Sequence, residues 1–170
     1  YGVSERDSRQ DAGEGFLLLG KGDGTFEWVD STLSGIDLPG EGRGLAVADF
    51  NKDHRPDFVA IQRLSQTRVW ENQGGKPGIT LELTGTGGNL QAIGTRVRWI
   101  YGDGSKGPMR EIHLGEGYWS QPSTRPILGM AKEPRELEIH WPGGISEIIA
   151  LTQEHLKRRL MVLAHPSRLP

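Results

Sequence analysis

The chain contains no cysteine, which excludes disulfides, thiolate metal sites and thiol nucleophiles together. It lacks any apolar run near the ~18 residues that a membrane-spanning helix requires. An excess of one charge sign is also missing. Twenty Lys and Arg stand against 22 Asp and Glu, so the electrostatic footprint of a nucleic-acid or membrane-surface partner is absent. The chain opens at Tyr1 without Met or a targeting tract, and we expect it to be a piece of something longer. What it has in excess is punctuation: 25 Gly and 10 Pro in 170 residues, against a usual Gly plus Pro share of ~12%. Such a composition approaches that of disordered chains, but apolar runs such as Phe16 to Leu19, Phe58 to Ile61 and Ile145 to Leu151 carry enough surface to offset chain entropy. The chain is globular and rich in turns.

Apolar residues alternate, or run in blocks of four to eight bounded by Gly, Pro, Asn and Asp, which is the strand signal. Strands are expected over residues 15–20, 25–29, 44–49, 57–62, 67–71, 79–84, 93–101, 109–114, 136–141 and 147–151. Gly22-Asp23-Gly24 and Gly102-Asp103-Gly104 suit hairpin turns that need positive φ. The stretch from Thr152 to Leu163 has a helix-capping start and a strand-like end, and a short turn followed by a strand is preferred. The class is all-β. Breakers concentrate at Gly74-Gly75-Lys76-Pro77-Gly78, and the division into two units, 1–76 and 77–170, is placed there.

The sharpest local signal is Asp49-Phe50-Asn51-Lys52-Asp53-His54-Arg55-Pro56-Asp57. Oxygen-bearing side chains at loop positions one, three, five and nine can converge on a hard cation, with the Arg55 carbonyl completing the shell. Ca²⁺ is the ion expected. It accepts six to eight oxygens in irregular geometry, whereas Mg²⁺ needs a stricter octahedron and Zn²⁺ prefers nitrogen and sulfur. Lys52 and Arg55 are expected to point outward. A helix-loop-helix calcium hand is disfavoured, because the flanks are strand-like and position twelve is Ala60 rather than Glu. The competing reading is a set of Asx turns without metal. Against it, Asp49, Asp53 and Asp57 repel one another unless a cation screens them. Position six, best filled by Gly where φ is positive, is His54.

Aromatic residues gather in the second unit. Trp99 and Tyr101 share a strand face with Val97, and Trp141 shares one with Leu137 and Ile139, so these three rings are assigned to the core. Tyr118 and Trp119 lie between Gly117 and Pro122, where a loop can display them to a ligand; flat rings on a β surface stack on sugars. Glu136 and Glu138 are paired carboxylates on one strand face, roughly 7 Å apart by strand rise. The separation suits glycoside chemistry, but two solvated charges on an outer face is the ordinary arrangement and the preferred one here. Ser120 lacks an esterase elbow, the five His are scattered without zinc spacing, and Gly85-Thr86-Gly87-Gly88 lacks the ending of a phosphate loop. No catalytic residue is assigned.

Phe16 to Leu19, Gly22-Asp23-Gly24-Thr25-Phe26 and Gly44 to Asp53 together resemble an FG-GAP or VCBS-type repeat, the calcium-bearing blade unit of integrin-like β-propellers, over about residues 14 to 75. The second unit is similar to the ASPIC and UnbV domain, over about residues 79 to 164. The motifs that carry this second resemblance are Asn89 to Val97, Gly117-Tyr118-Trp119-Ser120-Gln121, and Ile139-His140-Trp141-Pro142-Gly143-Gly144. One departure is Leu128-Gly129-Met130, where the family has Gly-Leu-Gly.

The resemblance implies a partial propeller blade followed by an antiparallel β-sandwich-like domain, attached to further blades of a parent chain. It implies no catalytic activity, and Asp49, Asn51, Asp53, the Arg55 carbonyl and Asp57 as the metal set. The function expected is calcium-binding adhesion or recognition of a protein or glycan. The compartment expected is extracellular, cell-surface or periplasmic, because such a loop would stay largely empty in a low-calcium cytosol. The alternative is a carbohydrate-binding module or accessory domain of a glycosidase.

Overall fold

A computed structural model describes residues 15–168. It is nearly all β. In the first unit β1 (Leu17–Gly20) and β2 (Phe26–Val29) form an antiparallel hairpin. Gly22 and Gly24 turn it at φ 87° and 88°, while the Asp23 carboxylate accepts the backbone N–H and the hydroxyl of Thr25 at 2.9 and 2.6 Å. A single helical turn, α1 (Ser31–Ser34), follows; Asp30 caps it and Gly35 ends it at φ 71°. β3 (Gly42–Ala48), β4 (Asp57–Gln62) and β5 (Arg68–Trp70) then make an antiparallel meander in that order. Phe58 and Trp70, paired across β4 and β5, stack at 4.8 Å.

The second unit is built from two sheets. One contains β6 (Ile79–Thr84), β9 (Ile127–Leu128) and β12 (Leu160–Ala164), in the order β12-β6-β9. The other contains β7 (Arg96–Tyr101), β8 (Arg110–Glu111), β10 (Pro134–His140) and β11 (Ser146–Ala150), in the order β11-β10-β7-β8. Ile79, Leu81 and Met161 from the first sheet share one core cluster with Val97, Trp99, Leu137 and Ile139 from the second, the arrangement of a sandwich. Trp99, Tyr101 and Trp141 are all buried, as their strand faces require. The Trp99 indole N–H reaches the Gly129 carbonyl at 3.1 Å, and that of Trp141 reaches Glu147 at 2.6 Å, so neither ring leaves an unpaired polar atom inside.

In the second unit the structure departs from the sequence reading in four places. The turn expected after Thr152 is a six-residue helix, α2 (Gln153–Arg158), closed by a capping box between Thr152 and His155 and ended by Arg159 at φ 52°; β12 then follows and runs parallel to β6. The strand expected over 109–114 is reduced to Arg110–Glu111, extended by backbone bonds of Ile112 to Gly94 and Thr95 at 2.8 and 2.9 Å. β9 has no counterpart among the expected strands, being two residues between Pro126 and Gly129, too short to show a period.

The fourth departure concerns Glu138. Instead of standing in solvent it is buried beneath two cations, Arg98 Nε at 2.5 Å and Lys106 Nζ at 3.1 Å, with the His140 ring at 3.3 Å. The hydrogen bond from Arg98, opposed by desolvation and helped by the bond from Lys106, lowers its pKa from 4.5 to about 2. The stability this confers is fully present above pH 4.5 and is lost as the pH falls toward 2. Titrated by acid unfolding, the wild-type chain is expected to lose on the order of 2 kcal/mol across that window, after allowance for solvent screening. Glu138→Gln is expected to be less stable at neutral pH and to lack this component of the slope.

Candidate functional site

The loop joining β3 to β4 carries the acidic motif. Its backbone reverses twice through the left-handed region, at Lys52 (φ 63°) and His54 (φ 64°), so His54 does hold the conformation that position six demands, at a cost glycine would avoid. Asp49 organises the turn. One of its oxygens accepts the Asp53 N–H and the other the His54 N–H, both at 3.0 Å. Asn51 Oδ1 also accepts the Asp53 N–H, at 3.1 Å, and its amide donates to Asp53 Oδ2 at 3.1 Å and to Glu71 at 3.0 Å.

Arg55 corrects the sequence reading. Its side chain turns into the loop instead of outward: Nη1 meets Asp53 Oδ2 at 2.8 Å and Nε donates to the Gly75 carbonyl at 2.5 Å. The repulsion among the three carboxylates is therefore partly met by a guanidinium. Burial of the Asp53 carboxyl works against ionisation, but bonds from Arg55 and Asn51 outweigh it and hold the pKa below the ordinary value. Asp57 sits deepest. It is 1% exposed, and its oxygens accept the Phe50 N–H at 2.9 Å and the Asn72 N–H at 2.8 Å.

Among the described residues no three His, Cys, Asp or Glu side chains converge closely enough to hold an ion. The chemistry of the donors nonetheless fits a hard cation. Each carboxylate offers about four acceptor sites, so Asp49 and Asp53 keep lone pairs beyond those their hydrogen bonds occupy. Asn51, bonded to Asp53, adds a neutral oxygen. Asp57 is directed to two backbone N–H groups at the base of the loop.

The second candidate region is the loop of Tyr118 and Trp119. Tyr118 is 64% and Trp119 81% exposed, with ring centroids 5.8 Å apart and planes tilted by 32°. Trp119 holds φ 51°, a costly conformation for a bulky residue. The residues after it pin it there, a role that sequence reasoning missed. Ser120 Oγ donates to the Tyr118 carbonyl at 2.9 Å and accepts the Leu45 N–H at 2.9 Å, and the Ser123 N–H reaches the Val47 carbonyl at 3.0 Å. Gln121 Oε1 accepts the Gly115 N–H at 2.6 Å. The loop is thus clipped to the free edge of β3 in the first unit. Gly44 makes this possible, since a Cβ there would lie 2.9 Å from the Trp119 carbonyl oxygen. A cleft of about 870 Å³ opens beside the clip, lined by Leu45, Val47 and Ile61 of the first unit and by Met109, Tyr118 and Pro122 of the second.

Residues 8–60 match the family model of the FG-GAP-like repeat, and residues 85–165 match that of ASPIC and UnbV. The chain is similar to cartilage acidic protein 1 of Xenopus tropicalis, with 47% identity over 47 residues, 28% of this chain. It is likewise similar to cartilage acidic protein 1 of Homo sapiens, with 51% identity over 49 residues, again 28% of this chain. In both cases the aligned part spans 7% of the relative's length. The two matched models cover successive parts of the chain, an FG-GAP-like repeat followed by an ASPIC and UnbV domain.

Proposed function

We propose that this chain is a non-catalytic, calcium-binding recognition module of an extracellular protein. The observation that carries the reading is the Tyr118–Trp119 pair, two exposed rings on a strained loop that the protein anchors on both sides. Strain maintained by surrounding bonds around an exposed aromatic is the arrangement of a contact surface. Its partner is an extracellular protein or a glycan. The FG-GAP-like and ASPIC/UnbV matches and the likeness to cartilage acidic protein 1 support an extracellular setting; among the described residues no helix is long and apolar enough to cross a membrane. A non-catalytic role agrees with the state of Glu138, whose carboxylate is held by Arg98 and Lys106 and is thereby a poor proton carrier near neutral pH.

Calcium is the second element of the proposal. Asp49, Asn51, Asp53, the Arg55 carbonyl and Asp57 are the ligand set, and the ion would take over from Arg55 the neutralisation of Asp53. At a concentration a hundred times its Kd, an ion bound only to the folded state adds about 2.7 kcal/mol of stability. Isothermal titration of the chain with CaCl₂ should show one binding event, abolished by Asp53→Ala and strengthened by Arg55→Ala. Asp57→Ala should behave differently. Stripping the N–H groups of Phe50 and Asn72 of their acceptor costs about 1–3 kcal/mol even in EDTA, readable as a lowered Tm without metal. Unchanged heats and Tm for the wild-type chain in excess calcium would refute the metal site.

The alternative reading is a carbohydrate-binding module, for which the two exposed rings would offer apolar faces to a sugar. On a glycan array, saccharide binding lost with Trp119→Ala is the expected outcome of that reading. An empty array would leave a protein partner ahead of it.

A further inference from the structure

The run Gly74-Gly75-Lys76-Pro77-Gly78 has the composition of a flexible linker, yet the chain from 71 to 80 is bonded to the acidic loop almost along its whole length. Asn51 donates to Glu71 at 3.0 Å, and Asn72 N–H donates to Asp57 at 2.8 Å. Arg55 Nε donates to the Gly75 carbonyl at 2.5 Å, and Gly78 N–H donates to the His54 carbonyl at 2.7 Å. The His54 ring shares a hydrogen bond of 2.9 Å with the Thr80 hydroxyl, inside the first strand of the second unit. Asn72 holds the intervening turn by accepting the Gly75 N–H at 2.8 Å, and Arg159, at the end of α2, donates to the Pro77 carbonyl at 2.9 Å. Gly78 is buried, and a Cβ on it would stand 2.5 Å from the Leu128 carbonyl oxygen. Its glycine serves close packing against β9.

We infer that the acidic loop is a lock between the two units, with His54 and Arg55 as its bolts. The left-handed backbone at His54 points the carbonyl at Gly78 while the ring reaches Thr80, so one residue engages both the linker and β6. A glycine at this position would keep the backbone bond and lose the second. Arg55 joins the loop's own carboxylate to the linker's carbonyl, which ties the shape of the loop to the position of residue 75. Releasing both residues turns 74–78 into a hinge, while the sheets on either side stay folded. The lock needs no calcium to form, because every bond in it is made by protein groups. With Ser120 and Ser123 clipped to β3 at the far side of the cleft, the two units then act as one body, and the wall bearing Tyr118 stands at a fixed distance from Leu45 and Ile61.

Amide hydrogen exchange by NMR on the 170-residue chain in EDTA tests the lock separately from the metal site. The Gly75 and Gly78 amides should be protected in the wild type and should exchange at least about tenfold faster in the His54→Gly, Arg55→Ala double variant. Amides of β7 and β10 should keep their wild-type rates, showing that the second unit remains folded. Thr80→Val should accelerate Gly78 and Thr80→Ser should not, which keeps the test valid if the double variant unfolds. Gly75 and Gly78 amides that exchange at open-chain rates in the wild type, or that ignore both sets of substitutions, would overturn the inference.

Discussion

Among the described residues before the linker, Ala60 is the one apolar side chain that is buried, and the first unit therefore cannot stand on hydrophobic burial in the way the second does. Its strands are ordered by polar contacts and by attachment. The Asp57 carboxylate, with backbone N–H groups on both oxygens, substitutes for part of a core: buried, ionisable and satisfied, it draws the start of β4, the loop before it and the chain after β5 to one point. A charge so placed is stabilising only while every partner remains. The first unit thus depends on geometry that the second unit helps to maintain, through Thr80 on one side and Ser120 on the other.

The outward face of the β1–β2 hairpin shows the same shortage of cover. Phe16, Leu18, Phe26 and Trp28 are all exposed, and the register places Leu18 opposite Trp28 and Gly20 opposite Phe26, so the aromatic and aliphatic groups line one face. A two-stranded hairpin is marginal alone. Among the described residues nothing covers this apolar face.

Much of this architecture is legible in the residues. Alternation locates most of the strands and puts Trp99, Tyr101 and Trp141 inside, because burial on one face leaves a period of two that no tertiary detail can erase. The Gly-Asp-Gly turns are legible for a local reason, since an Asx side chain bonding two residues on needs no distant partner. The failures share the opposite property. Glu138 has the pattern of a solvated strand residue, and only the return of β7 and its hairpin brings Arg98 and Lys106 over it. Arg55 is expected outward because its inward partner, the Gly75 carbonyl, is a backbone group with no sequence signature. Ser120 has no nucleophile's setting, and its structural task depends on the bare edge of β3, 75 residues away. Local chemistry can be read along the chain; non-local pairing of polar groups cannot.

The parallel pairing of β12 with β6 sets Leu160 beside Thr80 and Ala164 beside Thr84, with nearly the whole second unit looped between them. Met161, wholly buried, is the last core side chain to be synthesised. A pairing of such sequence separation is entropically expensive to close and slow to form. As the chain emerges from the ribosome, β6 must wait with one edge unpaired until residues 160–164 have been made. The order of β6 thus depends on a strand 80 residues further along the chain, Leu160 pairing with Thr80, and on no neighbour in sequence.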